Sequence, residues 1–554
     1  MTRRAADLLV DCLSAHGVDR LFCVPGESYL AVLDALYERN TVQTVVCRHE
    51  GGAGLMAIAD AKLTHKPGIA FVSRGPGATN VSIAVHVAEQ DAVPLILFIG
   101  QVPRHEIGRG AFQEVDYSKM FGDMAKMVAT IENADRIPEV VARAFVIAQS
   151  PTPGAVVIVL PEDMLEDRTA AAIIEPMAVP RTSGGSAGDI ERIAAMIGKS
   201  KRPLMIIGGG VEAMPGRAAV VAAAEAHGVP VAATFKRQEL FPNANPHYAG
   251  HLGFKIPRSQ VALYSEADLL IAVGTRLGEV STQGYTFPLA PVPSQPLIHV
   301  TDDARHIGRN FATTIGLVAD PTFFLQALAA RPAKLELKPE RNAWIARLHA
   351  YVAGKRTWTP PKDGKLDMGA VVGNFGNRIT DDAIFVTDAG NFSGWLHKHV
   401  TFSGRQRMIG AVGGAMGGAV PAAVAAGLRE PKTQVITWVG DGGVLMTGAD
   451  LASAVQYGVA VKIFVSNNGS YGTIRQHQER EYKTRVHGTT LNNPDFAKWA
   501  ESFGAKGLTI QTIEEAPRIV AEALDYVGPV VVDVRTTVDH ITPGMTIAGM
   551  NSRG

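Results

Sequence analysis

The stretch that decides the fold is Gln434-Val435-Ile436-Thr437-Trp438-Val439-Gly440-Asp441-Gly442-Gly443, answered downstream by Asn467-Asn468-Gly469-Ser470. Gln434 to Val439 is apolar and β-prone, which predicts a strand. The glycines after it are expected to turn the backbone sharply and bring its N–H groups to a bound anion. Asp441 then stands at the strand end as a hard oxygen ligand. Leu445 to Tyr457 predicts a helical segment and Val461 to Val465 a second strand. Asn468, just past that strand, can present its amide oxygen beside Asp441. One carboxylate, one amide oxygen and one backbone carbonyl suit Mg²⁺, which keeps few protein ligands and completes its octahedron with phosphates. The expectation is a strand-end pocket for a metal-bound diphosphate. A short Gly-Asp-Gly alone would be an ordinary loop; the spacing to Asn468 and the two flanking strands make the pattern specific.

Working outward, the same alternation fills the chain. Residues 4–16 predict an amphipathic helix and Arg20 to Val24 a strand, followed by the turn Pro25-Gly26-Glu27-Ser28 and a helix to about Glu38. Val42 to Cys47 is the next strand, ending in Arg48-His49-Glu50-Gly51-Gly52. Strand Gly68 to Val72, the segment Gly75-Pro76-Gly77-Ala78-Thr79-Asn80, a helix and strand Pro94 to Ile99 follow, and Ala155 to Leu160 closes this unit. A linker is expected at 165–188. A second unit starts at Pro203 and runs through strands near Val229 to Ala233, Asp268 to Val273 and Leu297 to Val300. A second linker is expected at 331–365, rich in Lys, Pro and Arg. Strands alternating with helices at these lengths predict an α/β fold: three doubly wound parallel-sheet domains, at 1–165, 190–330 and 366–540, with 541–554 as a C-terminal tail. In such sheets binding loops lie at the C-terminal strand ends, where Glu27, Glu50 and Gly75 to Asn80 fall.

Bulk properties narrow the class. The chain has 554 residues, of which 46% are hydrophobic, ample for several cores. Lys plus Arg and Asp plus Glu both number 53, so charge makes no case for nucleic acid or an anionic membrane. The three cysteines, Cys12, Cys23 and Cys47, are too few and too odd in number for a disulfide framework. Met1 to His16 is too charged for a secretory signal, and no apolar run spans a bilayer. A cytoplasmic enzyme is the expectation.

Taken together, Pro25-Gly26, Arg48-His49-Glu50, Gly75 to Asn80, Ala111-Phe112-Gln113-Glu114, Ala415-Met416-Gly417, Gly440-Asp441-Gly442 and Asn467-Asn468 resemble, in order, the acetolactate-synthase-like branch of the thiamin-diphosphate enzymes. The resemblance implies a pyrimidine-binding domain, a central domain and a diphosphate-binding domain. It implies thiamin diphosphate and Mg²⁺ as cofactors, with Asp441, Asn468 and the main-chain oxygen of Ser470 as metal ligands. It also implies a homodimer as the smallest active unit, with a homotetramer the expected assembly, and FAD as a candidate occupant of the central domain near Gly208-Gly209-Gly210 and Arg276. Glu50 would hydrogen-bond the pyrimidine ring from an apolar pocket where its pKa rises, promoting loss of the thiazolium C2 proton. Met416 would wedge the two rings into a V, with the Gly414 carbonyl holding the amino group. Gly75, Asn80, Gly390, Asn391, Phe392, Gly440, Gly442, Gly443, Tyr471 and Gly472 complete the implied cofactor contacts.

The substrate side carries departures. Phe112 and Gln113 match the pair that acetolactate synthases place over the thiazolium, and Lys126 resembles a lysine of those enzymes. Val280 stands where they carry a second arginine for the 2-oxoacid carboxylate, and His477 where they carry a tryptophan. Glu27 is acidic where they have a small residue; it would either shuttle protons or favour a helix N-terminus. The implied function is decarboxylating cleavage of a 2-oxoacid and transfer of the enamine to an acceptor. The alternatives are a simple 2-oxoacid decarboxylase, a C–C hydrolase on the same scaffold, and a non-catalytic nucleotide-binding or regulatory subunit.

Overall fold

The computed structural model describes residues 2–39, 41–254, 256–332 and 339–551. One compact unit takes in the chain up to Pro180, Pro360–Gly394 and the chain from Ile409 onward; the other is Arg181–Thr359 with Trp395–Met408.

The first unit holds two six-stranded sheets. The N-terminal sheet runs Gln43–Val46, Arg20–Cys23, Gly68–Ser73, Leu95–Gln101, Ala155–Pro161, Met127–Thr130, every pair parallel. The C-terminal sheet runs Arg407–Ile409, Ile384–Thr387, Val435–Gly440, Val461–Ser466, Val530–Val534, Lys506–Ile510. Numbered along each domain, both read 2-1-3-4-6-5. Such an order reverses direction between its first and third strands, and ligands bind in the crevice at that reversal. The crevices therefore lie between the ends of Arg20–Cys23 and Gly68–Ser73 in one sheet, and of Ile384–Thr387 and Val435–Gly440 in the other.

Most of these strands form where the sequence predicts them, because runs such as Ala155–Pro161 are buried along their whole length; Met127–Thr130, Arg407–Ile409 and Lys506–Ile510 were not expected. The two domains share one core. Helix Glu50–Thr64 packs on helix Ala419–Arg429, and both faces are mostly alanine, with Val81, Val85, Val420 and Val424 around them. Small side chains let the helices approach closely and leave dispersion and apolar burial to hold them. Arg429 closes the end of the pair by donating to Asp60 (2.7 and 2.8 Å) and Asp19 (2.7 and 2.9 Å). Lys62, on the same helix as Asp60, meets Asp91 at 2.6 Å, with side chains only 3% and 0% exposed.

The second unit has one sheet in the order Tyr248–Leu252, Val231–Thr234, Pro203–Ile207, Leu269–Val273, Leu297–Thr301, Ile315–Val318, which is 3-2-1-4-5-6 along the domain. Two of these strands, Tyr248–Leu252 and Ile315–Val318, were not expected from sequence. The segment expected as a linker at 331–365 contains helix Pro339–Ala353, which buries Arg341, Trp344, Ile345 and Leu348. The expected tail also carries structure: a hairpin of His540–Thr542 and Met545–Thr546, then helix Ile547–Asn551. Cys12, Cys23 and Cys47 are free and buried, and burial pushes the Cys12 thiol up to about 12 and Cys23 to about 11. Among the described residues no helix is long and apolar enough to cross a membrane.

The buried Lys62–Asp91 pair makes a direct stability prediction. Lys62→Met leaves the Asp91 charge buried with its cation removed, which costs about 3 kcal/mol or more. A urea titration should show a lower midpoint for this unit; an unchanged midpoint would mean the pair carries no net stability.

Candidate active site

The N-terminal half of the site is built at the crevice of the first sheet. His49 caps helix Glu50–Thr64, its Nδ1 accepting from the Gly51 N–H at 3.0 Å. This places Glu50 in the first turn, at the end of strand Gln43–Val46. In the single chain Glu50 is half-buried rather than enclosed, and its Oε2 accepts from Asn80 Nδ2 at 2.8 Å. Gly75 to Asn80, expected as a loop, forms the opening turns of helix Arg74–Asp91. Gly75 donates its N–H to the Gln113 carbonyl at 3.0 Å, which brings the 111–114 loop over the same helix start. Gln113 adopts φ 66°, and Glu114 ties the loop by accepting from the N–H groups of Gly108 (2.5 Å) and Ala111 (3.0 Å). Those donors hold its carboxyl below the usual range. Phe112 is 76% exposed, so its ring has no cover within the chain. Glu27 opens the short helix Glu27–Tyr29 and is exposed; the N-cap position itself is Gly26.

The C-terminal half lies at the crevice of the other sheet. The Gly440-Asp441-Gly442-Gly443 glycines do not turn the chain sharply. Gly440 is extended at φ −86°, and Asp441 begins helix Asp441–Thr447. Their role is close approach. A Cβ at Gly440 would press on the Phe392 ring, at Gly442 on Tyr471, and at Gly443 on Asp388 Oδ2. Asp441 is 3% exposed. Its Oδ1 accepts from Gly442 N–H at 2.9 Å, and its Oδ2 from Gly469 N–H (2.8 Å), Ser470 N–H (3.3 Å) and Asn493 Nδ2 (2.8 Å). Asn468 Oδ1 accepts from the same Ser470 N–H at 3.0 Å, so the two side-chain oxygens converge on one point. Burial pushes the Asp441 carboxyl up, and its donors, Asn493 first, only partly offset this. A cation would favour the charged form. Among the described residues no three His, Cys, Asp or Glu side chains gather as a metal site. A site of one carboxylate with amide and main-chain oxygens needs no such cluster, so the donor set fits Mg²⁺.

Several residues carrying this arrangement were missed in the sequence. Asn493 bridges Asp441 and Asn467 Oδ1, the latter at 2.9 Å, while Asn467 donates to buried Asp533 at 2.9 Å. Asp388 accepts from Gly417 N–H at 2.8 Å and contacts Gly443, joining at one carboxylate three segments that the sequence led us to expect at the cofactor. The 410–417 loop is held from the N-terminal domain: Asp91 Oδ1 accepts from Val412 (2.8 Å) and Gly413 (3.1 Å) N–H groups, and Lys62 donates to the Gly410 carbonyl at 3.1 Å. Within that loop Gly414 has φ 78° with open space around it, and Met416 is half-buried just before helix Ala419–Arg429. Each is an isolated polar or small residue whose partner is distant in sequence, so no local spacing signals it.

Of the other expected groups, Lys126 lies away from the crevice, whereas Asn391 lies with Asn468 beside Gly472. Lys126 precedes strand Met127–Thr130, at the opposite sheet end, and its Nζ staples the Ser150 carbonyl (3.0 Å), Ser150 Oγ (2.7 Å) and the Thr152 carbonyl (3.0 Å). It is neither a solvated lysine nor a site residue. The Asn391 N–H, expected to face a diphosphate, donates to Thr473 Oγ1 at 2.8 Å. His477 lies on helix Gly472–Glu481 with its Nδ1 at 2.6 Å from Arg480. Arg276 and Val280 belong to the other compact unit.

Comparison with known proteins agrees with this geometry. The thiamine pyrophosphate enzyme models match in all three parts: the N-terminal TPP binding domain at residues 3–120, the central domain at 190–328 and the C-terminal TPP binding domain at 388–534. The chain is 31% identical to the acetolactate synthase large subunit of Mycobacterium tuberculosis, covering 99% of this chain and 90% of that protein. It is 32% identical to the acetolactate synthase isozyme 1 large subunit of Escherichia coli, covering 96% and 93%. It is 31% identical to the acetolactate synthase large subunit of Parasynechococcus marenigrum, covering 96% and 87%. With both halves of the site in place and all three domain models matched, the chain belongs to the thiamine pyrophosphate enzyme family, in its acetolactate-synthase-like branch.

Proposed function

We propose that this chain is a thiamin-diphosphate- and Mg²⁺-dependent enzyme that cleaves the C–C bond beside the carbonyl of a 2-oxoacid, with loss of CO₂. It passes the remaining carbon unit to an acceptor. The observation that supports this most is the pairing of two half-sites: Glu50 with Asn80 and Gln113 at one sheet's crevice, Asp441 with Asn468 and Ser470 at the other's. Asp441, Asn468 and the Ser470 carbonyl would hold the metal, and the Gly440 to Gly443 backbone lies where a diphosphate would rest. When bound, thiamin diphosphate supplies the nucleophilic carbon and the electron sink that such cleavage needs. Glu50 would hold a proton at the pyrimidine ring nitrogen, oriented by Asn80. Gln113 and Phe112 would bound the space where the substrate sits, and Phe112 awaits a cover that one chain does not give it.

The two half-sites of one chain serve different cofactors in this reading. Asn80, which orients Glu50, opens helix Arg74–Asp91, whereas Asp91 at its far end holds the 412–413 loop. They stand eleven positions apart on the helix, about 16 Å at 1.5 Å per residue. A second copy that brought its own 413–416 loop to this chain's Glu50 would complete the site, which favours a homodimer. FAD gains no support from Gly208 and Gly210, where a Cβ would meet Gly274 at 2.6 and 2.8 Å whatever is bound. A simple decarboxylase is the second reading, favoured by the exposed carboxyl of Glu27 beside the first crevice. The non-catalytic alternative would give no reason for the Glu50–Asn80 pair or for the convergence of Asp441 and Asn468 on Ser470.

Purified protein with the cofactor and Mg²⁺, offered pyruvate with an aldehyde, should release CO₂ and form a C–C bonded product. CO₂ with only free aldehyde would replace the transfer reading by the decarboxylase one. In Glu50→Gln, cofactor affinity should hold while C2-proton exchange of the bound cofactor, followed by NMR in D₂O, slows about a hundredfold or more. Exchange at the wild-type rate would remove Glu50 from proton transfer.

A further inference from the structure

The metal-site helix does not end its work at Asp441. Helix Asp441–Thr447 continues through the turn Gly448–Asp450 into helix Leu451–Gln456. Asp450, Ser453 and Gln456 recur at helical spacing, with Tyr457 next to them. This stripe grips two residues of the N-terminal domain, Val46 and Arg48. Val46 donates its N–H to the Tyr457 hydroxyl at 2.8 Å, and its carbonyl accepts from Ser453 Oγ at 3.3 Å. Arg48 donates its N–H to Asp450 Oδ1 at 2.9 Å and its guanidinium to Gln456 Oε1 at 2.7 Å. His49 and Glu50 come next in the chain.

Asp450 is 0% exposed, and its Oδ2 is buried with no hydrogen-bond partner. A Cβ on residue 52 would overlap that oxygen, so Gly52 is the residue that lets the carboxylate seat itself against the backbone. Asp450 thus touches the chain on both sides of Glu50, at Arg48 and at Gly52. A buried carboxylate with one oxygen unpaired is a poor choice for stability alone, since an apolar side chain would avoid the desolvation. Burial indeed pushes this carboxyl up to about 6.

We propose that Asp450 is a positioning residue for Glu50, fixing the Arg48–Gly52 turn so that the glutamate side chain meets the pyrimidine of the cofactor. The inference rests on the proposed thiamin-diphosphate chemistry of this site. Asp91 supplies the natural comparison. It holds the 412–413 loop across the same pair of domains, from the end of helix Arg74–Asp91.

The test combines amide hydrogen exchange of the full-length protein without cofactor with C2-proton exchange of bound thiamin diphosphate. Asp450→Ala should raise amide exchange across residues 46–52, and slow C2 exchange, by about tenfold or more each. Affinity for thiamin diphosphate with Mg²⁺, set at Asp441, should stay within about twofold. Asp450→Asn, which keeps an oxygen for the Arg48 N–H, should recover most of both losses. Asp91→Ala, which destabilises the whole unit by breaking the Lys62 pair, should loosen residues 46–52 no more than the neighbouring strands of the N-terminal sheet. Wild-type protection of this segment in Asp450→Ala, loosening with no change in C2 exchange, or equal loosening beyond that of the neighbouring strands in Asp91→Ala would overturn the proposal. Should Asp450→Ala not fold, Gly52→Ala, which displaces the same oxygen, must give the same paired effect or the proposal fails. A wild-type protein that does not bind thiamin diphosphate would overturn the cofactor reading itself, and is told apart by that control alone.

Discussion

The packing of helix Glu50–Thr64 on helix Ala419–Arg429 is the contact on which the site depends. It exists because both faces are alanine-rich, so backbones approach closely and a shared core forms between two sheets. Glycine at 52 extends this closeness to the carboxylate of Asp450. Arg429 with Asp60 and Asp19, and Lys62 with Asp91, then fix its register with charges that, exposed Asp19 apart, are largely removed from water. A shift of one helical turn along this contact would separate Arg48 from Asp450 and Val412 from Asp91 at once.

Those two carboxylates act reciprocally. Asp91 of the N-terminal domain reads the backbone of the 412–413 loop in the C-terminal domain. Asp450 of the C-terminal domain reads the backbone at Arg48 in the N-terminal domain. Each domain thereby holds the loop through which, in the proposed site, the other would reach a cofactor. Because these are hydrogen bonds to main-chain N–H groups, they constrain geometry while leaving the side chains of Glu50 and Met416 free to face outward. Asp441 follows the same logic inside one domain, its four N–H donors fixing a carboxylate that would otherwise be costly to bury.

Most of the strands were legible in the sequence because they are buried on both faces and read as continuous apolar runs, as at Val461–Ser466. Tyr248–Leu252 and Ile315–Val318 were not, since Gly250 and Gly316 break the β-branched signal. Helix Pro339–Ala353 was hidden by its charged composition, and only the stripe through Trp344, Ile345 and Leu348 meets a core. The glycines at 440 to 443 were legible as special but not in kind: a glycine that permits a turn and one that permits close approach look alike until the neighbour is known. Glu50, Asp441 and Asn468 could be found because they sit in ordered local patterns. Asp388, Asp450 and Asn493 could not, because their partners lie tens to hundreds of residues away, 402 in the case of Arg48 and Asp450.

The central claim is that Glu50 of one copy and Asp441 of another serve a single cofactor. Co-expression of Glu50→Gln and Asp441→Ala chains tests it most directly. Each variant alone should turn over little substrate. Mixed dimers contain one site with both residues intact, so a random equal mixture should regain about a quarter of the wild-type rate. No recovery in verified mixed dimers, with each chain folded, would contradict a site shared between copies.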